Sequence, residues 1–272
     1  MRLLIAADME GVSGVVDWNQ VNPDHKEHAR FRKLMTDEVN AAVRGAYDAG
    51  AESVLVADGH ASGRNVLIED VDPRARLHTG TPSPLGMVSG VEAGVDGALF
   101  IGYHARAGTE LAILDHTWSS QRVANLRLNG ELVGETGLNA ALCGHFGVPV
   151  VMVSGDRAAC EEARALLGGI ETVAVKEATG HSAARCLSPQ LAVERIYDGA
   201  RRAVTRLRND DAAEPLRISL PVTLTIEFPS SAMADQAAFF PGSDRQGRHV
   251  SYRAEDMVTA FEAMRSLLAL AS

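Results

Sequence analysis

Four short runs of almost entirely apolar residues constrain the fold of this chain more than any other feature. They cover residues 3–7, 53–57, 98–102 and 148–153. Runs of this length are typical of strands that are covered on both faces, as in parallel sheets. Apolar residues at helical spacing follow the first run, over residues 28–49, and Asp156 is placed to cap a helix over residues 156–167. We therefore expect an α/β fold, a three-layer domain built around a mostly parallel sheet.

A smaller unit is predicted toward the end of the chain. Ser188-Pro189 favours the start of a long helix, the polar residues 209–215 are typical of a loop or linker, and a strand and a helix are expected at 220–228 and 254–270. Because 272 residues lie near the upper limit for one core, we expect an α/β domain over residues 1–190 and a smaller α+β C-terminal unit over residues 191–272. Asn129-Gly130 also predicts a β-hairpin within the first domain.

Charge and cysteine content narrow the expected partners and compartment. The formal net charge is −9 and no dense basic cluster is present, so nucleic acid is not expected as a partner. The apolar run at the start is too short for a signal peptide, and no run approaches the ~20 apolar residues of a membrane span. The three cysteines, Cys143, Cys160 and Cys186, lie far apart, which suits a reducing compartment. We expect a cytoplasmic protein without a membrane partner.

Acidic residues and histidines follow three of the four apolar runs. Asp8 and Glu10 follow the first run, Asp58 and His60 the second, and His104 the third. Residues two apart in an extended chain point to the same side, and ligand crevices of open α/β sheets lie outside the carboxyl ends of the strands. Aligned carboxylates repel one another unless a cation lies between them. The pattern therefore predicts a site for Zn²⁺, Mn²⁺ or Co²⁺.

Other interpretations of these residues remain open. Asp8 could cap a helix, and His60 or His104 alone could be an ordinary hydrogen-bonded residue, so the convergence of all of them carries the hypothesis. Residues 11–14, Gly-Val-Ser-Gly, lack the full glycine pattern of a dinucleotide site, and neither a P-loop nor a nucleophile elbow is present. His116 is close in sequence to His104 and could either support a neighbouring metal ligand or act in acid–base chemistry.

Several ordered motifs resemble one known family. They include Asp8-Met9-Glu10-Gly11, Asp58-Gly59-His60, Gly102-Tyr103-His104-Ala105-Arg106-Ala107, Val133-Gly134-Glu135 and Cys186-Leu187-Ser188-Pro189. Together they are similar to the zinc-dependent D-aminopeptidases of peptidase family M55, across essentially the whole chain. The resemblance implies that two Zn²⁺ ions are bound, with Asp8 bridging them, by Asp8, Glu10, His60, His104 and Glu135. It also implies that His116 is the catalytic histidine, and that the chains form a homo-oligomeric ring, a decamer of two stacked pentamers around an inner chamber.

The function expected on this basis is hydrolysis of the N-terminal residue, a D-amino acid, from short peptides. A metal-bound hydroxide would attack the scissile carbonyl, and we favour His116 as an acid–base or oxyanion-stabilising group over a nucleophile. Residues 117–127 depart from the family pattern, so the preference for D over L residues rests on the resemblance alone. Two alternatives are a peptide-binding accessory protein for transport and a metallo-phosphoesterase, although only Arg106 is adjacent to the site residues to hold a phosphate.

Overall fold

The computed structural model describes residues 1–271. Its strands are β1 (Arg2–Ala7), β2 (Ser53–Asp58), β3 (Arg76–His78), β4 (Gly97–Tyr103), β5 (Asn125–Leu128), β6 (Glu131–Leu132), β7 (Val150–Asp156), β8 (Glu171–Gly180), β9 (Ala183–Cys186), β10 (Val222–Glu227), β11 (Ser243–Gln246) and β12 (His249–Ala254). Its helices are α1 (Trp18–Val21), α2 (His28–Asp48), α3 (Glu135–His145), α4 (Arg157–Leu167), α5 (Pro189–Arg208), α6 (Ser231–Ala237) and α7 (Met257–Leu270). Single 3-10 turns lie at Ile68–Asp70, Gly86–Val88 and Val91–Ala93.

A seven-stranded sheet forms the centre of the molecule. Its order is β3-β2-β1-β4-β7-β8-β9, and every neighbouring pair is parallel except β8 and β9. The strands β4 and β7 are buried along their whole length, as their apolar sequences require. The prediction of an α/β fold with a mostly parallel sheet is confirmed.

The residues of β1 alternate between two hydrophobic cores. Leu3, Ile5 and Ala7 pack with α2 and α5 on one face, whereas Leu4 and Ala6 face the core that includes α3 and α7 on the other. This alternation follows from the two-residue period of a strand. The central sheet is therefore covered on both faces.

A second sheet is antiparallel and has the order β11-β12-β10-β5-β6. The hairpin β5–β6 turns at Asn129 and Gly130, whose φ angles of 51° and 90° fit the predicted type I′ turn. Strand β5 pairs with β10 of the C-terminal region, and α7 packs on β10 and β12. Among the described residues, no helix combines the length and apolar character needed to cross a membrane.

Contacts cross the predicted boundary at residue 190 in both directions. Helix α5, which starts at Pro189 after its N-cap Ser188, packs on α2 and on strands β7 and β8 of the central sheet. The hairpin from the middle of the chain belongs to the sheet that the C-terminal strands complete. The division into an α/β domain over residues 1–190 and a smaller unit over residues 191–272 stays a prediction.

Candidate metal centre

Five acidic and imidazole side chains meet at the carboxyl edge of the central sheet. Asp8 and Glu10 follow β1, His60 follows β2, His104 follows β4, and Glu135 is the first residue of α3. Each is buried, with at most 8% of its surface exposed. The parallel strands bring these side chains to one place because their carboxyl ends share an edge.

Asp8 lies between two imidazoles. Its Oδ1 is 3.3 Å from Nδ1 of His60, and its Oδ2 is 3.5 Å from Nε2 of His104. Glu10 Oε2 is 3.0 Å from the same His60 nitrogen, and Glu135 Oε1 is 3.2 Å from the same His104 nitrogen. The donors thus form two groups that share the Asp8 carboxylate, one oxygen in each.

Each histidine of the centre is oriented by a backbone carbonyl. His60 Nε2 donates to the carbonyl of Val21 at 2.8 Å, and His104 Nδ1 donates to that of Ala105 at 2.9 Å. The other ring nitrogen of each residue then faces the carboxylates without a proton in the neutral form. This is the arrangement that metal-binding histidines adopt, since the carbonyl fixes both the ring and its tautomer.

Three buried polar atoms in the centre have no hydrogen-bond partner among the described residues. They are Asp8 Oδ2, Glu10 Oε2 and His104 Nε2. A buried carboxylate oxygen without a donor is costly, and such atoms are rare in folded proteins. Asp8, Glu10 and His104 offer ligand atoms within 4.8 Å of one another, which fits a bound cation, and the mixture of oxygen and nitrogen donors suits zinc.

Burial and neighbouring charges shift the pKa values of the cluster. Burial, together with the Glu10 carboxylate, raises the pKa of Asp8 to about 7. Burial also opposes ionisation of Glu10, but His60 outweighs it and holds the pKa of Glu10 well below its usual range. Burial lowers the pKa of His104, but Glu135 outweighs it and raises that pKa well above its usual range. Burial and the crowding of carboxylates thus oppose a negative charge on Asp8, whereas the neighbouring imidazoles favour one on Glu10.

The loop after β1 is held by close backbone contacts. A Cβ on Gly11 would lie 2.0 Å from the carbonyl oxygen of Tyr103, so only glycine allows the loop to approach β4 this closely. The buried Lys176 of β8 donates from Nζ to the carbonyls of Glu10 at 2.5 Å, Val12 at 2.9 Å and Val15 at 2.7 Å. These contacts fix the segment that carries Glu10. Reasoning from the sequence missed Lys176, whose signal is a lysine between the buried Val175 and Ala178 of a strand.

Asp58 does not face the centre, contrary to the sequence expectation. Its Oδ2 accepts hydrogen bonds from the backbone N–H groups of Asn65 at 2.5 Å and Val66 at 2.8 Å. Its Oδ1 accepts from the Asn65 side chain at 2.9 Å. Asp58 thus orders the loop beyond His60. Asp58 and His60 point in different directions because the chain leaves the extended conformation after β2.

His116 borders the centre and a cavity in front of it. Its Nε2 is 3.6 Å from Oε1 of Glu135, and its Nδ1 donates to the carbonyl of Leu114 at 2.9 Å. The cavity has a volume of about 380 Å³. It is lined by Asp8, Glu10, His60, His116, Glu135 and, from the C-terminal helix, Arg265. A small ligand in this cavity would contact both the carboxylate cluster and His116.

Trp118 is a second residue that sequence reasoning missed. Its backbone N–H donates to Oε1 of Glu135 at 2.7 Å, and the residue lines the cavity. The residue has a φ angle of 61°, which is uncommon outside glycine. The segment after His116 therefore both orients Glu135 and forms the cavity wall. The fold and this cluster together define an α/β enzyme with a candidate metal centre.

Comparisons with known proteins assign the chain to a family. The family model for peptidase family M55, described as D-aminopeptidase, matches residues 1–266. A D-aminopeptidase from Bacillus subtilis (strain 168) is 37% identical over 273 residues, covering 100% of this chain and 98% of the relative. A solved structure is also similar, with a TM-score of 0.95 and 36% identity over 100% of this chain and 98% of the other. That structure is described as the zinc-dependent D-aminopeptidase DppA from Bacillus subtilis, a self-compartmentalizing protease.

The chain belongs to peptidase family M55, the D-aminopeptidases. It is a peptidase, a hydrolase of peptide bonds, and the family expected from the sequence motifs is confirmed.

Proposed function

We propose that this protein is a zinc-dependent aminopeptidase that releases the N-terminal residue, a D-amino acid, from short peptides. The observation that carries the proposal is the Asp8 carboxylate, whose two oxygens lie 3.3 Å and 3.5 Å from ring nitrogens of His60 and His104. Family membership and the D-aminopeptidase relatives support the same activity. The similar solved structure is described as zinc-dependent, which supports a zinc requirement in this chain.

Two zinc ions are proposed, one in each donor group. Glu10 and His60 would hold one ion, His104 and Glu135 the other, and Asp8 would bridge them. The distances of 3.0–3.5 Å between these donor atoms support this division, since ligands of one ion lie near one another. When bound, the zinc pair would polarise a peptide carbonyl and lower the pKa of a water molecule.

His116 is proposed as the group that moves the proton. Its Nδ1 donates to the Leu114 carbonyl, so Nε2 is free to accept a proton in the neutral form and to return it to the departing amine. Its position on the cavity wall supports contact with the substrate. A role as a covalent nucleophile is the alternative, and the two roles differ in whether an adduct forms on the ring.

A ring assembly and a cytoplasmic location are also proposed. The self-compartmentalizing relative supports a homo-oligomer, for which a decamer with an inner chamber is the expected form. The three cysteines are free, and Cys186 is exposed, which suits a reducing compartment. Arg106, the residue expected to hold a phosphate in the phosphoesterase alternative, turns its Nη1 to the carbonyl of Ala107 and does not line the cavity.

The proposed activity is tested with a matched substrate panel on the zinc-loaded chain. D-Ala and L-Ala p-nitroanilides separate the two enantiomers, and p-nitrophenyl phosphate tests the phosphoesterase alternative. We expect kcat/KM to be higher for the D form and phosphate release to be absent. Equal kcat/KM values for both enantiomers would support aminopeptidase activity and contradict the D preference. Hydrolysis of the phosphate ester alone would contradict the proposed peptidase activity.

A further inference from the structure

Arg265 of α7 is the one lysine or arginine among the described residues that line the cavity of the candidate centre. The other titratable groups in the lining are the carboxyl groups of Asp8, Glu10 and Glu135 and the imidazoles of His60 and His116. A substrate anion in this cavity is repelled by any uncompensated carboxylate and is attracted by the arginine.

One edge of the Arg265 guanidinium is already occupied. Its Nη1 donates to the carbonyl oxygens of Ser83 at 2.6 Å and Pro84 at 3.1 Å. Its Cζ lies 5.8 Å from the ring centroid of Phe261, one helical turn earlier. These contacts hold the side chain against the turn at residues 83–84 and limit its rotation.

The other edge of the guanidinium is unused within residues 1–271. No carboxylate there forms an ion pair with Arg265, and no acceptor there bonds to its Nε or Nη2. A guanidinium presents its five N–H donors in a fixed planar fork that matches a carboxylate with two parallel hydrogen bonds. The free edge is therefore available to bind a planar anion.

We propose that Arg265 binds the C-terminal carboxylate of the substrate, so that the enzyme selects short peptides with a free C-terminus. This inference rests on the aminopeptidase function proposed above. A short peptide carries an amine at one end and a carboxylate at the other, and an extended chain spans only about 3.3–3.6 Å per residue. A cavity of about 380 Å³ is near the lower end of the range for ligand sites. Both termini of a short peptide can thus lie within it.

The inference is tested with D-alanylglycine and D-alanylglycinamide, which share the scissile bond and differ in the C-terminal charge. With the zinc-loaded full chain, we expect kcat/KM to be about tenfold to a hundredfold higher for the free acid, the usual effect of a charge-assisted hydrogen-bonded pair. The difference should lie mainly in KM, since the contact is remote from the reacting carbonyl.

Three variants separate carboxylate recognition from anchoring of the helix. In Arg265→Gln the ratio of kcat/KM for the free acid to kcat/KM for the amide should fall toward one. In Arg265→Lys, which keeps the charge without the planar fork of donors, the ratio should be intermediate. Arg122→Gln is the matched control, because Arg122 also bonds to α7, through the Leu268 carbonyl at 3.4 Å, but does not line the cavity. Its ratio should equal that of the wild type.

Two results would overturn the inference while leaving the aminopeptidase in place. One is a wild-type ratio near one, which needs no variant and so does not depend on folding of Arg265→Gln. The other is a loss of activity in Arg265→Gln that is equal for acid and amide, which would assign the residue to anchoring alone. If the enzyme hydrolysed neither the dipeptide derivatives nor the p-nitroanilides, both the proposed function and this inference would be wrong.

Discussion

His104 and His116 stack face to face, with ring centroids 4.0 Å apart and planes 11° from parallel. Both Nε2 atoms lie near Oε1 of Glu135, at 3.2 Å and 3.6 Å. The His104 side chain is 1% exposed and the His116 side chain 11% exposed. The stack therefore places the His104 imidazole within the donor cluster and the His116 imidazole at the cavity. A metal ligand and an acid–base group can thus both contact the Glu135 carboxylate.

The stack provides a test of the role of His116. His116→Phe keeps an aromatic ring against His104 but cannot transfer a proton, so kcat should fall by about 10²–10⁴ while bound zinc is retained. Steady-state kinetics and metal analysis of the same preparation measure both quantities. His116→Ala, which also removes the stack, is the comparison. A covalent adduct on His116, trapped during turnover and seen by mass spectrometry, would contradict the acid–base role.

Lys176 is expected to support both folding and zinc binding. Lys176→Met removes the donor from three buried carbonyls, so the free energy of unfolding should fall by about 3–5 kcal/mol. Zinc affinity should fall as well, because those carbonyls belong to the segment that carries Glu10. Denaturant unfolding and zinc titration measure the two effects.

The control for Lys176 is the exposed Lys33, whose ion pair with Asp37 lies on the surface of α2. Lys33→Met should change the free energy of unfolding by less than about 1 kcal/mol. Equal effects of the two substitutions would show that the contacts of Lys176 with the loop have no special importance.

Glu38 is expected to make stability depend on pH. Burial raises the pKa of Glu38 from 4.5 to about 7, although its Oε1 accepts a hydrogen bond from the N–H of Ser13 at 2.8 Å. Between these two values the folded state keeps a proton that the unfolded state has lost. This contribution is therefore present at low pH and is lost as the pH rises toward 7, by about 3 kcal/mol in total.

Glu38→Gln removes this titration and keeps an acceptor for Ser13. The difference in unfolding free energy, variant minus wild type, should increase from pH 4.5 to pH 7 and level off above it. Urea unfolding across this range measures the difference, and other titrating groups cancel because both proteins contain them. A difference that is constant with pH would contradict the raised pKa.

Gly11 is expected to tolerate no side chain. Gly11→Ala places a Cβ against the Tyr103 carbonyl oxygen, so the loop must move and Glu10 with it. Stability should fall by roughly 2–4 kcal/mol and bound zinc should decrease. Gly180→Ala is the control, because an added Cβ there meets no atom within 4 Å. Unchanged melting and zinc content in Gly11→Ala would contradict the close approach.

The sequence predicted the fold where its signals were local. Runs such as residues 148–153 are apolar because β7 is covered on both faces, and Asn129-Gly130 predicted its hairpin because that turn needs positive φ angles. The sequence also predicted a shared site for Asp8, Glu10, His60 and His104. They follow strands of a parallel sheet, and the carboxyl ends of such strands meet at one edge.

Contacts between distant segments could not be predicted in this way. Glu135 reaches the centre from the first turn of α3, so only the family resemblance pointed to it. Arg265 lies on the C-terminal helix and meets residues 83–84 only after the chain has folded. Asp58 was wrongly expected to face the centre, because the chain turns after β2 and His60 no longer lies on the same side as Asp58.

The central claim is that Asp8 joins two zinc sites, and the zinc content per chain tests it most directly. Elemental analysis after chelation, reloading and removal of free metal should give about two zinc ions for the wild type. His60→Ala and His104→Ala should each lose about one ion, from different sites, while Asp8→Ala should lose part or all of both because it supplies a ligand to each. A wild-type content of one, or a full complement of two in Asp8→Ala, would contradict the account.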